Sequence, residues 1–192
     1  MKMSNTLLAL FAAAGLAVSG ASMANTTKEA RDQSIKAAEA QYKNDKAACG
    51  SLSGNAKDIC MEEAKGKEKV AKAEAKAAYE GTPKARESAR VAHADATYAV
   101  AKEKCDDLSG NAKDVCVKEA KAAHVKSTEN AKVDRVAAET SPNSTKTAEA
   151  RADAMQEKRD ADYKVAVEKC DSLGGNAKDM CVRDAKARFG KS

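Results

Sequence analysis

The sequence predicts an all-α protein: three disulfide-stapled αα-hairpins, about six helices, forming either an up-and-down bundle or an elongated array. Three observations predict it. The first is composition. The 192 residues are 43% hydrophobic, but 43 of them are alanine, and beyond residue 24 only 17 are Leu, Ile, Val or Phe. That is about half the level below which a charged chain is usually read as disordered. Trp is absent and aromatics are 3%, so one large core and a deep aromatic-lined pocket are both excluded. Ala, Lys and Glu are nonetheless strong helix formers, and only two prolines interrupt them. The second observation is a threefold cysteine unit, and the third is a Gly-Asn pair at the centre of each copy.

Taken in order, residues 1–24 read as a secretory signal. Lys2 forms the positive start, Leu7 to Val18 the apolar stretch, and Ser22-Met23-Ala24 the small-residue site, with cleavage expected before Asn25. The apolar run is short for a membrane span and nothing later approaches one. The mature chain is therefore expected to be periplasmic or secreted, without a transmembrane span. An even number of cysteines, six, suits an oxidising compartment.

The cysteine segments read CGSLSGNAKDIC, CDDLSGNAKDVC and CDSLGGNAKDMC. Tyr42, Tyr98 and Tyr163 each stand seven residues before a first cysteine, and Ala-Lys follows each second cysteine at a fixed distance. This is a repeat protein, with hairpin units at 25–81, 82–141 and 142–192. Were a segment one continuous helix, its two cysteines would lie about 16 Å apart along the axis. A disulfide needs Cα atoms within about 7 Å. A reversal at Gly54-Asn55, Gly110-Asn111 and Gly175-Asn176 removes the conflict. Glycine supplies a left-handed helix end, and Asn with an acid three residues later (Asp58, Asp114, Asp179) reads as a capping box for the next helix. The cysteines are symmetric about this junction, which favours Cys49–Cys60, Cys105–Cys116 and Cys170–Cys181 over the other connectivities. A loop this short contributes roughly 3 kcal/mol by chain entropy. Tyr42-Cys49-Leu52, Tyr98-Cys105-Leu108 and Tyr163-Cys170-Leu173 each form one helical stripe, expected to be the inner seam.

Thr82 before Pro83 reads as an N-cap and first helical residue, and Ser141-Pro142-Asn143-Ser144 plays the same part for the third unit. Helices are expected near 28–52, 56–80, 83–109, 112–139, 145–173 and 177–189. If they run up and down, the three tips share one end and the proline breaks the other.

No catalytic pattern appears, and His93 and His124 read as surface histidines on polar helices. Cysteines enclosing ten residues do not have zinc-ligand spacing, so neither a metal nor any other cofactor is expected. A net charge of +5, with 34 basic against 29 acidic residues, fits a solvated helix surface rather than nucleic-acid binding. Asn-Ala-Lys-Asp is identical in all three copies, although capping needs only its ends. Lys57, Lys113 and Lys178 are therefore candidate contacts to an anionic partner, a trivalent set acting by avidity.

The signal, the Ala/Lys/Glu helices and the repeated Tyr-x6-Cys-x2-Leu-x-Gly-Asn-Ala-Lys-Asp-x-Cys unit resemble a family of small exported proteins of Gram-negative bacteria, often labelled TolA-like or cell envelope biogenesis proteins. The chain departs from TolA itself, having a cleavable-looking start and no separate C-terminal globular domain, so the resemblance implies no role in the Tol system. The leading expectation from the whole sequence is a non-enzymatic structural or interaction protein of the envelope, whose partner would be an anionic envelope surface, suited to the modest positive charge, or another periplasmic protein. A stress-related periplasmic chaperone or binding module is the second expectation.

Overall fold

The computed structural model describes residues 26–191. The signal segment at 1–24 and its cleavage site before Asn25 lie outside the described residues. Within them the chain forms six helices: α1 Lys28–Ala48, α2 Gly54–Glu80, α3 Pro83–Cys105, α4 Gly110–Glu139, α5 Thr145–Cys170 and α6 Gly175–Phe189. A single 3-10 turn, Cys49–Ser51, follows α1. The cysteine pairs are 49–60, 105–116 and 170–181, with Cα atoms 5.7, 5.6 and 5.7 Å apart. Each joins two helices across a reversal of the chain, so the fold is all-α and consists of three stapled hairpins.

Every helix packs only against its neighbours in sequence. The bundle and the array, both open on sequence grounds, are thereby distinguished: the hairpins lie side by side in a single layer. Successive helices are antiparallel. Glu39 meets Lys72 across α1 and α2, Gly66 meets Ala96 across α2 and α3, and Lys126 meets Asp162 across α4 and α5. The three stapled tips therefore lie along one edge, with the Gly81-Thr82 and Thr140–Ser144 connections along the other.

The core of such a layer is thin. Its buried apolar residues are alanines and three cysteines, Cys49, Cys105 and Cys170, each with no exposed surface. Alanine allows close helix approach but removes little apolar area from water, at about 25 cal/mol per Å². Each disulfide thus sits where a hairpin most needs reinforcement. The tyrosines of the expected seam are half-buried. Tyr98 packs on the His124 ring, with centroids 5.2 Å apart, and Tyr163 on Phe189 at 6.1 Å.

Three expectations are corrected. The first helix of each hairpin is shorter than expected, ending at or just before the first cysteine, and the second begins two residues early, at Gly54, Gly110 and Gly175. These glycines have φ of +55°, +54° and +51°. The left-handed residue thus opens the second helix rather than closing the first. The residues ahead of them, Ser53, Ser109 and Gly174, hold the N-cap position, and Asn55, Asn111 and Asn176 fall inside the helix. Finally, the leucines leave the seam. Because the helix has ended by then, Leu52, Leu108 and Leu173 point away from it and are 41%, 45% and 43% exposed.

At the opposite edge, Thr82 Oγ1 accepts from the Ala85 amide at 3.1 Å with Pro83 in the first turn, and Ser144 Oγ accepts from the Thr147 amide at 3.1 Å. Thr147 is fully buried, and its hydroxyl donates to the Ser141 carbonyl at 2.6 Å. The nine extra residues of the second connection are divided evenly. α4 is three residues longer than α2, α5 three longer than α3, and the linking segment three longer. Two antiparallel arms extended by equal amounts keep their tips level.

Candidate functional site

The repeated tip is the part of this molecule with a recurring chemistry. Each presents an exposed leucine beside Asn-Ala-Lys-Asp. The three lysines are not equivalent. Lys113 Nζ lies 3.0 Å from Asp106, and Lys178 Nζ 2.9 Å from Asp171. In the first tip Gly50 stands where the other two carry that aspartate, and Lys57 has no ion-pair partner among the described residues. Two of the three cations are therefore neutralised within their own turn. Asp107 adds a negative charge to the second tip where the other two carry Ser51 and Ser172.

The asparagines do something the sequence reading missed. Asn55 Nδ2 donates to the backbone carbonyl of Glu103 at 3.0 Å, and Asn111 Nδ2 donates to that of Glu168 at 2.9 Å. Each acceptor lies two residues before the first cysteine of the next hairpin, in the last turn of its helix, where it also accepts the amide of Asp106 or Asp171. Asparagine thus bridges to the next unit rather than capping its own helix. An ion pair accompanies each bridge: Lys104 with Glu63 at 3.9 Å, and Lys169 with Glu119 at 2.6 Å. The signal for this was present in the sequence. Repeats two and three read Glu-Lys-Cys where the first repeat, which follows no other hairpin among the described residues, reads Ala-Ala-Cys.

Below the tips the two junctions diverge. At the first, Gly66 crosses α3 so closely that a Cβ on it would lie 2.9 Å from Ala96 Cβ. On one face of this crossing is an open groove of about 550 Å³, floored by Val70, Ala71, Ala96, Val100 and Ala101, with Glu63, Lys67, Glu74, His93 and Lys104 around it. At the second junction, ion pairs and polar contacts predominate: Lys118–Glu168 at 3.6 Å, Lys126–Asp162 at 2.6 Å, and Lys158 donating to Asn130 at 2.6 Å.

The histidines differ in their surroundings. His93 is exposed at the groove. His124, expected on the surface, has a side chain only 15% exposed; its Nε2 lies 2.7 Å from Asp95 Oδ1. Its position on the α4 face turned toward Tyr98 accounts for the difference. The pair is not joined by a nucleophile, and among the described residues no group of three or more His, Cys, Asp or Glu is placed to hold a metal ion. Shifted titrations all reinforce the charged forms. The Lys72 ammonium holds the Glu39 carboxyl below its usual range, and Lys191 does the same for Asp160. Glu62 raises Lys65, and Glu68 with Glu39 raises Lys72.

Among the described residues no helix is long and apolar enough to cross a membrane. No protein-family model, curated protein or solved structure matches the chain.

Proposed function

We propose that this chain is a non-enzymatic structural or interaction module of the cell envelope, exported to the periplasm and TolA-like in composition only. The observation that carries the reading is the single-layer array. A layer one helix thick exposes both faces while repeating one contact geometry along its length. The disulfides support export, since such bonds persist in oxidising compartments, and the amino-terminal sequence supports a cleaved signal. Fractionating cells and sequencing the mature amino terminus tests this. The expected result is a chain beginning at Asn25, oxidised at all six cysteines and recovered with the periplasm. Recovery of the reduced, full-length chain in the cytoplasm would overturn it.

The groove between α2 and α3 favours a second reading, a chaperone or binding module that holds apolar client segments. In that case the protein suppresses aggregation of a denatured model client, and Val100→Lys in the groove abolishes suppression while leaving the helix content intact. Equal behaviour of the two proteins would remove the groove from consideration. The tips are less suited to an anionic surface than three free lysines would be, because Lys113 and Lys178 are already paired. Binding of vesicles rich in anionic lipid should accordingly depend on Lys57 more than on the other two.

A further inference from the structure

The two edges of the array are finished differently. At the amino-terminal edge, the features by which α3 and α5 dock onto a preceding hairpin are missing from α1. Ala47-Ala48 replaces Glu103-Lys104 and Glu168-Lys169, and Asn44 stands where α3 has the groove residue Val100 and α5 has Val165. That edge is capped with polar or small residues, as terminal repeats usually are. At the carboxy-terminal edge, α6 keeps the docking features although, among the described residues, it packs only against α5. Asn176 corresponds to the bridging Asn55 and Asn111, and is exposed where they are half-buried. Met180 corresponds to the half-buried Ile59 and Val115, yet is 56% exposed. Ala187 corresponds to Gly66, the small residue of the close crossing, and to the buried Ala122, and is itself exposed. Arg183 and Asp184 correspond to Lys118 and Glu119, which form ion pairs across the second junction; among the described residues neither has an ion-pair partner.

We infer that the outer face of α6 binds a second copy of itself, forming an antiparallel two-fold dimer. The stripe is self-complementary about the point between Arg183 and Asp184, near the middle of the 15-residue helix. A two-fold axis there sets Arg183 against Asp184 of the second copy, and the reverse. It sets the exposed Met180 over the small Ala187 of the other helix, a knob against a gap. It also brings Asn176 beside the last turn of the second α6, whose final carbonyls are of the kind that Asn55 and Asn111 already bind. Because α1 lacks the matching features, growth does not continue head to tail, and assembly stops at two. A helix of this length spans about 22 Å, so the contact falls in the small, transient class.

Sedimentation equilibrium of the exported, oxidised protein tests this over about 1 µM to 1 mM, a range suited to a transient contact. Wild type should show a reversible monomer–dimer equilibrium. Arg183→Glu and Asp184→Arg should each weaken association about tenfold or more, since like charges then meet twice across the axis. An equimolar mixture of the two variants restores both opposite-charge pairs, and should associate about as tightly as wild type. Circular dichroism establishes that both variants are folded, and recovery in the mixture cannot come from misfolded chains. A protein monomeric throughout, a dimer indifferent to either reversal, or a mixture that fails to recover would each overturn the inference.

Discussion

The first and second junctions between hairpins share their chemistry at the tip and differ along the body. At the tip, both use an asparagine amide on the carbonyl two residues before a cysteine, with a Lys–Glu pair beside it. Along the body, the first is a close glycine crossing opening onto an apolar groove, and the second a set of charged and polar bridges. The tip is where a disulfide fixes the backbone, so an atom-to-atom hydrogen bond can recur there. Farther down, alanine faces set few geometric demands, and the side chains have diverged without changing the packing order.

The largest effect expected from testing this comparison is removal of a staple. Cys105→Ala with Cys116→Ala should cost about 3 kcal/mol, read as a lower Tm by circular dichroism. It should affect both junctions, because the second hairpin takes part in each, whereas the matching change at Cys170 and Cys181 touches one. Helicity at low temperature should partly survive, since alanine retains its propensity without packing. Next, Gly66→Leu should destabilise by about 1–3 kcal/mol through overpacking against Ala96. Gly50→Ala, in open space, should change stability little.

Smaller effects separate the tip from the body. Asn55→Ala and Asn111→Ala should each cost about 0.5–1.5 kcal/mol in denaturant titrations. Asn176→Ala should change the dilute monomer by less than about 0.5 kcal/mol. Equal losses at all three positions would mean that the asparagines act within their own helices, and the bridging role would fall. A double-mutant cycle on Lys126 and Asp162 should give about 0.2–1 kcal/mol, shrinking as salt is added. The first junction, apolar at the matching height, should not respond to salt there. The smallest effect is acid sensitivity at Glu39. Its folded-state pKa lies below its ordinary value, so its contribution is present above that value and is lost as pH falls through the folded one. Glu39→Gln should remove that part of the acid-side slope.

Much of the hairpin architecture was legible because covalent geometry is strict: cysteines eleven positions apart fit a reversal at Gly-Asn and do not fit a straight helix. Local pattern rules misjudged Asn55 and its counterparts, since an asparagine ahead of an acid looks like a cap until Gly54 takes the left-handed position and starts the helix earlier. The leucines were misplaced for a related reason, as Leu52 keeps helical spacing from Cys49 only while the helix continues. Neither bundle nor array could be chosen from sequence, because an alanine face accepts a neighbour on either side. The contrast of Ala-Ala-Cys with the two Glu-Lys-Cys segments was a readable sign of which hairpins follow another. Its meaning depends on a contact between units about fifty residues apart.

The single-layer arrangement is tested most directly by small-angle X-ray scattering of the oxidised protein at a dilution where it is monomeric. Six helices spaced about 8–10 Å apart, with the longer ones about 40 Å long, form a plate with a radius of gyration near 20 Å. A compact globule of this chain length gives about 15 Å. The array predicts the larger value and a flattened distance distribution. A value near 15 Å with a symmetric distribution would contradict it and restore the closed bundle.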